Sequence, residues 1–273
     1  MTTEIERVVV ALDATSENRA AIETAARLAA RWKAHLHGVF VEDDDLMRLA
    51  RLPFARQVTF GLGVETLNLQ QARRQMNAFA ERTRSELSAA ARRHHVEWTF
   101  EVVRDAAASG IGAAATTDFL VFGTATRPVG EHFRVECRWW SVVEPGASSL
   151  LLAHREWREG MVVAVLDDRG PASERLIAAA AQLAEAGGGG LTLICASELA
   201  NEPGFKTWLD AHLAGLTVKT EVAITPDGPV ALVRRIAQLD CRIVAFAAGT
   251  PHAQPERLRE LVAKTACDVL VVR

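Results

Sequence analysis

What this sequence lacks narrows its function before any motif does. No apolar run approaches the about 18 residues that a membrane-spanning helix needs. The chain opens Thr2-Thr3-Glu4-Ile5-Glu6 and runs straight into apolar residues, without the basic-then-apolar pattern of a secretory signal. Positive charge is not in surplus: the formal net charge is −3, whereas a general nucleic-acid binder presents a basic face. Four cysteines, Cys137, Cys195, Cys241 and Cys267, lie far apart with no CxxC spacing, and read as reduced thiols. No GxSxG, GxxxxGK[ST] or HExxH is present, nor a GxGxxG after the first apolar run. These absences give the expectations of a cytoplasmic protein that is not an enzyme and engages neither nucleic acid nor membrane.

What is present is a repeat. Arg7-Val8-Val9-Val10-Ala11-Leu12-Asp13 precedes an alanine-rich helical stretch, and Met161-Val162-Val163-Ala164-Val165-Leu166-Asp167 precedes another. Each half closes on a short apolar run, Leu150-Leu151-Leu152-Ala153 and Val269-Leu270-Val271-Val272. A buried strand ending in a carboxylate before a helix is how an open α/β sheet often begins its ligand crevice. Two copies in 273 residues, with a hydrophobic share of 49%, imply two cores and a fused pseudo-dimer. The domains are expected at 1–157, with an insertion near 42–63, and at 158–273.

Strands are expected at 7–12, 39–41, 98–103, 119–122 and 150–153, then near 161–166, 190–196, 217–224, 242–247 and 268–272. Helices alternate with them: after a cap at Thr15 or Ser16, at 66–93 and 106–115, and in the second half near 172–186, 204–214, 228–239 and 255–265. The 42–63 stretch carries an acidic run, a proline and glycines, which predicts an excursion holding a short helix at 46–52. Gly187 to Gly190 precedes a strand, so it reads as a helix stop and turn rather than a phosphate loop. The alternation predicts parallel sheets with right-handed crossovers. The fold class is thus α/β, two tandem five-stranded parallel-sheet sandwiches.

The pattern resembles the universal stress protein family in its tandem two-domain form. The resemblance rests on Val8 to Asp13 with the alanines of 20–30, on Val39-Phe40-Val41-Glu42, on Val162 to Asp167, and on the tail from Leu261 to Val272. It implies an adenine nucleotide alpha hydrolase-like fold with strand order 3-2-1-4-5 and pairing through the fifth strands. Family members that bind ATP or AMP use an Asp after strand one and a backbone position after strand two. A loop after strand four, glycine-x2-glycine-x9-glycine-Ser/Thr, holds their phosphates, because glycines let backbone N–H groups approach an anion.

Carried over residue by residue, Asp13, Val41 and Gly123 match in the first half. The second loop glycine falls on Thr126, and the last pair falls near residues 135–138, where neither residue type stands. In the second half Asp167 and Gly249 match, but His252 replaces a glycine, and Pro255-Glu256 follow in the loop. Proline removes a donor and a carboxylate repels phosphate. Both phosphate loops are degraded.

Two readings stand for several residues. Asp13 and Asp167 either hydrogen-bond a ribose or cap their helix. Arg127, His132, Arg134 and Arg138 either replace the lost glycines with charge-assisted contacts to an anion or form a solvated loop. Trp139 and Trp140, with Phe133, either stack on a base or pack helices. His94-His95 reads as a polar helix end, His35 and His37 as a two-ligand pair without a third partner, and Asp43-Asp44-Asp45 as solvated charge. Cys137 and Cys267 are redox candidates only if exposed. The leading expectation is a non-enzymatic regulatory or interaction module of the stress response with an unidentified protein partner and a homodimer as an allowed assembly, no cofactor being required. The alternative is an AMP, ATP or anion sensor using Asp13, Val41, Gly123 and Arg127; a slow nucleotide hydrolase is the remaining enzyme reading.

Overall fold

The computed structural model describes residues 5–13, 18–42, 44–52, 56–59, 63–66, 69–103, 118–123, 149–153, 158–225, 229–254, 257–258, 265 and 267–273. In chain order the first half gives β1 (Arg7–Leu12), α1 (Asn18–Trp32), β2 (His35–Val41), α2 (Asp44–Leu49), β3 (Arg56–Thr59) and β4 (Gly63–Thr66). The long α3 (Leu69–His94), β5 (Trp98–Val103), β6 (Asp118–Gly123) and β7 (Ser149–Ala153) follow. The second half gives β8 (Met161–Leu166), α4 (Pro171–Gly187), β9 (Leu191–Ala196), α5 (Ser197–Ala200), α6 (Phe205–Leu213) and β10 (Thr220–Thr225). It closes with α7 (Pro229–Gln238), β11 (Cys241–Ala247), a 3-10 turn (Pro251–Ala253) and β12 (Asp268–Val272).

Ten of these strands form one sheet in the order β10-β9-β8-β11-β12-β7-β6-β1-β2-β5. With the β3–β4 hairpin set aside, each half reads third-second-first-fourth-fifth, the order expected. Every pair in the large sheet is parallel except β12 with β7, where Val269, Leu270 and Val271 lie antiparallel to Leu152, Leu151 and Leu150. The fifth strands thus fuse the halves into a single sheet.

The apolar runs become central strands because both faces are covered. Val8, Val10 and Leu12 pack with Ala21, Ala25, Ala26 and Ala29 of α1 on one face. Val9 and Ala11 join the opposite core, with Leu232 and Ile236 of α7 on the same side of the sheet. Those alanines are fully buried, and their small side chains set the close helix-to-sheet approach.

Several elements differ from the sequence expectation. β2 starts at His35 instead of Val39, because His35 and His37 alternate with buried Leu36 while pairing with β5 supplies the backbone partners. The 42–63 excursion is built rather than merely polar: it holds α2 and the first strand of an antiparallel hairpin pairing Arg56 with Thr66. That pairing takes Thr66 into a strand, so α3 starts at Leu69. The helix expected at 106–115 lies outside the described residues, as does most of the one expected at 255–265.

α4 ends at Gly188, whose φ of +66° lets its N–H cap the carbonyls of Ala184 and Glu185. A Cβ on Gly189 would stand 2.0 Å from the Gly160 carbonyl oxygen, so this turn needs glycine for proximity as well. Beneath it the β11–β8 register shifts between Cys241 and Ile243. Arg242, in this irregularity, is 2% exposed; burial lowers its guanidinium to about 10, against the opposing pull of Asp268.

The reading of four reduced thiols is corrected. Cys241 and Cys267 are joined in a disulfide, with Cα atoms 6.1 Å apart. They are 26 residues apart in sequence, but β11 and β12 are parallel neighbours and both cysteines stand at their starts. Cys267 is thus half of a disulfide, 3% exposed, and not the free exposed thiol considered from sequence.

Leu270 and Leu151 face one another across the antiparallel seam, both fully buried. Leu270→Ala is expected to lower the unfolding free energy by about 2–5 kcal/mol, checked by urea denaturation against a surface Leu52→Ala control.

Candidate functional site

In an open α/β sheet the crevice lies outside the carboxyl ends of the strands where the order reverses. β1 and β8 are those reversal strands, so one crevice opens between β1 and β6 and the other between β8 and β11.

At the first crevice Asp13 follows β1, Val41 ends β2 and Gly123 ends β6. Leu12 pairs with Phe40 and Ala11 with Phe122, so the three residues meet at one end of the sheet. The Asp13 backbone is held by a side chain not singled out from sequence. Asn18 Nδ2 donates to the Asp13 carbonyl at 2.6 Å, and the Asp13 N–H donates to Asn18 Oδ1 at 3.3 Å. Asn18 is the buried first residue of α1. An Asn five residues past a strand-ending Asp was the available signal. Arg127 lies outside the described residues, as do Thr126, His132, Phe133, Arg134, Cys137, Arg138, Trp139 and Trp140, and the expected caps Thr15 and Ser16.

At the second crevice the aspartate meets the chain's own loop. The Asp167 side chain is 25% exposed and His252 Nε2 stands 3.5 Å from its Oδ1. Thr250 Oγ1 donates to the Ala247 carbonyl at 2.9 Å and lies beside Asp167, where it favours the ionised carboxylate. Gly249, at φ +84°, turns the chain so that the 3-10 turn carries His252 back over the strand ends, with its ring 6.1 Å from that of Phe246. Burial raises the Asp167 carboxyl above its ordinary range, and the charge of His252 acts in the opposite direction. Neither Asp167 nor Asp168 caps α4, whose N-cap is Gly170 without a side-chain bond; Asp168 instead organises the turn that leads into it. Asp168 Oδ1 accepts from the Gly170 N–H and the Ser173 hydroxyl, both at 2.8 Å, an Asx-type turn into α4. His252 had been read only as a missing glycine; that it engages Asp167 required the fold.

The histidine pairs also resolve. His94 Nε2 contacts Glu23 Oε1 at 2.7 Å, while Arg93 and Arg27 reach the same carboxylate at 2.8 and 3.2 Å. Burial alone would raise Glu23; the hydrogen bonds from Arg93 and His94 dominate and bring it to about 2. His94 is therefore a helix-end ion-pair residue. His35 and His37 both contact the Thr99 hydroxyl, at 2.9 and 2.7 Å, and His37 reaches Glu101 at 3.3 Å. Burial, then the neighbouring His37, lowers the His35 imidazole. Among the described residues no group of three or more His, Cys, Asp or Glu is arranged to hold a metal. Asp44 and Asp45 lie on α2, and Asp43 is outside the described residues. No described helix is long and apolar enough to cross a membrane.

No protein-family model matches the chain, and no curated protein sequence does. Solved structures do. A universal stress protein from Archaeoglobus fulgidus superposes with a TM-score of 0.67 at 12% identity, over 98% of each chain. A protein of unknown function from Pseudomonas aeruginosa gives 0.61 at 14% identity, over 98% of this chain and 92% of its own. The chain has the universal stress protein fold.

Two outcomes follow from these charge arrangements. His252→Ala leaves Asp167 without its imidazole, so carboxyl NMR titration is expected to show the Asp167 pKa rising further. A raised folded-state pKa favours folding on the acid side and weakens as pH rises through it. The pair needs both an ionised carboxylate and a protonated imidazole, so the stability lost in His252→Ala is largest in mildly acidic buffer, between the ordinary carboxylate and imidazole ranges, and smaller on either side. Glu23 carries the opposite sign: its depressed pKa stabilises the fold above about 4.5 and the contribution fades as pH falls toward about 2. Glu23→Gln is expected to cost about 1 kcal/mol at pH 7, because the site is partly solvated, and progressively less across that acid window in thermal melts.

Proposed function

We propose that the chain is a tandem universal stress protein, acting in the stress response as a non-catalytic regulatory or interaction module with unequal halves. The single observation that carries this reading is the Asp167–His252 contact. The position at which nucleotide-binding members present a carboxylate to their ligand is here engaged by an imidazole from the chain's own loop. An anion entering that crevice would meet Asp167 and Asp168 with no compensating glycine N–H run, which favours exclusion of phosphate. On this reading the second half, residues 158–273, completes the fold and presents surface to a protein partner.

The first half, residues 1–157, carries the second reading, a sensor of AMP, ATP or another anionic ligand. Asp13, its backbone fixed by Asn18, stands with Val41 and Gly123 at one strand end, and this geometry supports it. Arg127 is the residue we place against the phosphates. A slow hydrolase is the least supported reading, since no nucleophile–base pair stands among the described crevice residues.

Isothermal titration with ATP and AMP, with and without magnesium, separates these readings. No heat, and no thermal stabilisation of the kind that binding to the folded state must produce, is expected of the interaction module. Micromolar binding abolished by Asp13→Ala and retained in Asp167→Ala would instead establish the first-half sensor. Phosphate release that survives Asp13→Ala would speak against hydrolysis in this crevice.

A further inference from the structure

Cys241 begins β11 and Cys267 directly precedes β12, so their disulfide ties the starts of two adjacent parallel strands. A cavity of about 360 Å³ opens at this end, between the end of α7 and the two strand starts. Both cysteines line it, together with Arg158, Asp240 and Thr265. Pockets of this size admit small organic molecules. Arg158 reaches into the region: its Nη2 donates to the Cys241 carbonyl at 3.0 Å and its Nη1 lies 3.3 Å from Asp240. The Cys267 sulfur also lies 3.2 Å from the Cys241 carbonyl oxygen. A reduced Cys267 thiol therefore has an acceptor in place without movement of the backbone, so the same fold accommodates both oxidation states. Cys195, the other cysteine described, does not line this cavity, and burial pushes its thiol up.

We propose that Cys241 and Cys267 form a reversible thiol–disulfide exchange site served by low-molecular-weight thiols that enter through this cavity. In reduction, a thiolate RS⁻ attacks one cysteine sulfur, the S–S bond breaks, and the other cysteine leaves as a thiolate, which the nearby Arg158 cation favours. A second RS⁻ attacks the small-molecule sulfur of the mixed disulfide, expelling the first cysteine thiolate and forming RSSR. The two cysteine thiolates take up the protons released by the two thiols. Two electrons pass from 2 RSH to the protein, and RSSR reverses the sequence. The consequence reaches the centre of the molecule, because β12 is the strand that pairs with β7. Oxidation adds a covalent tie between that strand's start and β11, and reduction leaves the backbone pairing of the two strands to hold it.

The test is alkylation mapping by mass spectrometry of the folded wild-type chain equilibrated in reduced and oxidised glutathione at varied ratios. The expected result is a Cys241–Cys267 linked peptide under oxidising buffer, its loss under millimolar reduced glutathione without unfolding, and recovery on return. Cys195→Ser should behave identically. Cys241→Ser should take up one glutathione at Cys267 from the oxidised form; if that variant does not fold, the wild-type titration decides alone. Full alkylation of both cysteines after oxidation, pairing of either with Cys137 or Cys195, or a bond that resists reduced glutathione in the folded chain would each overturn the proposal. Nucleotide titration is independent of this site, so the two readings fail separately.

Discussion

The antiparallel pairing of β7 with β12 is the constraint on which the rest of this structure depends. Each half is an open sheet whose fifth strand would present a long apolar edge, a ready template for unwanted pairing. Joining Leu150, Leu151 and Leu152 to Val269, Leu270 and Val271 buries both edges in one step, leaving all six residues at most 5% exposed. Because that pairing is the only antiparallel one in the large sheet, β1 and β8 run in opposite directions. The two crevices therefore open at opposite ends of the sheet and cannot form one shared site.

The two crevices inherit the same topology and differ in chemistry. Both reversal strands end in an aspartate, yet the chain treats the two carboxylates differently. Asp13 is set by backbone contacts to Asn18, which fix the loop. Asp167 is instead contacted by a loop that returns through Gly249 and places His252 against it. A carboxylate sheltered from water needs a charge or hydrogen-bond partner, and Thr250 with His252 supplies one from within. Topology alone thus provides the crevice, while local loop sequence decides what its aspartate meets.

The opposite end of the second half shows how close packing shapes sequence. The Gly187 to Gly190 run serves a turn and a close approach: Gly188 ends α4 with a left-handed cap, and Gly189 lies against the Gly160 backbone. The β11 irregularity buries Arg242 near Asp268, and the neighbouring cysteines staple the strand starts. Glycines, a buried arginine and a disulfide are thus concentrated where strands of the second half begin, away from its crevice.

The sequence by itself determined the alternation of strands and helices and the repeat; the third-second-first-fourth-fifth order came through the resemblance. Strands buried on both faces must be continuous apolar runs, and 7–12 and 161–166 announce themselves as such. It was weaker wherever burial is one-sided: β2 begins at His35 because an alternating strand near the sheet edge carries polar residues, and β3–β4 form where only a polar excursion was legible. At the crevices, sequence named Asp13, Val41, Gly123 and Asp167 through resemblance, but spacing could not reveal Asn18 holding Asp13 or His252 lying on Asp167. Nor could it bring Cys241 to Cys267. Those contacts join residues 5, 85 and 26 positions apart, the last two across neighbouring strands. Periodicity encodes what a segment buries; only the assembled sheet decides which segments it meets.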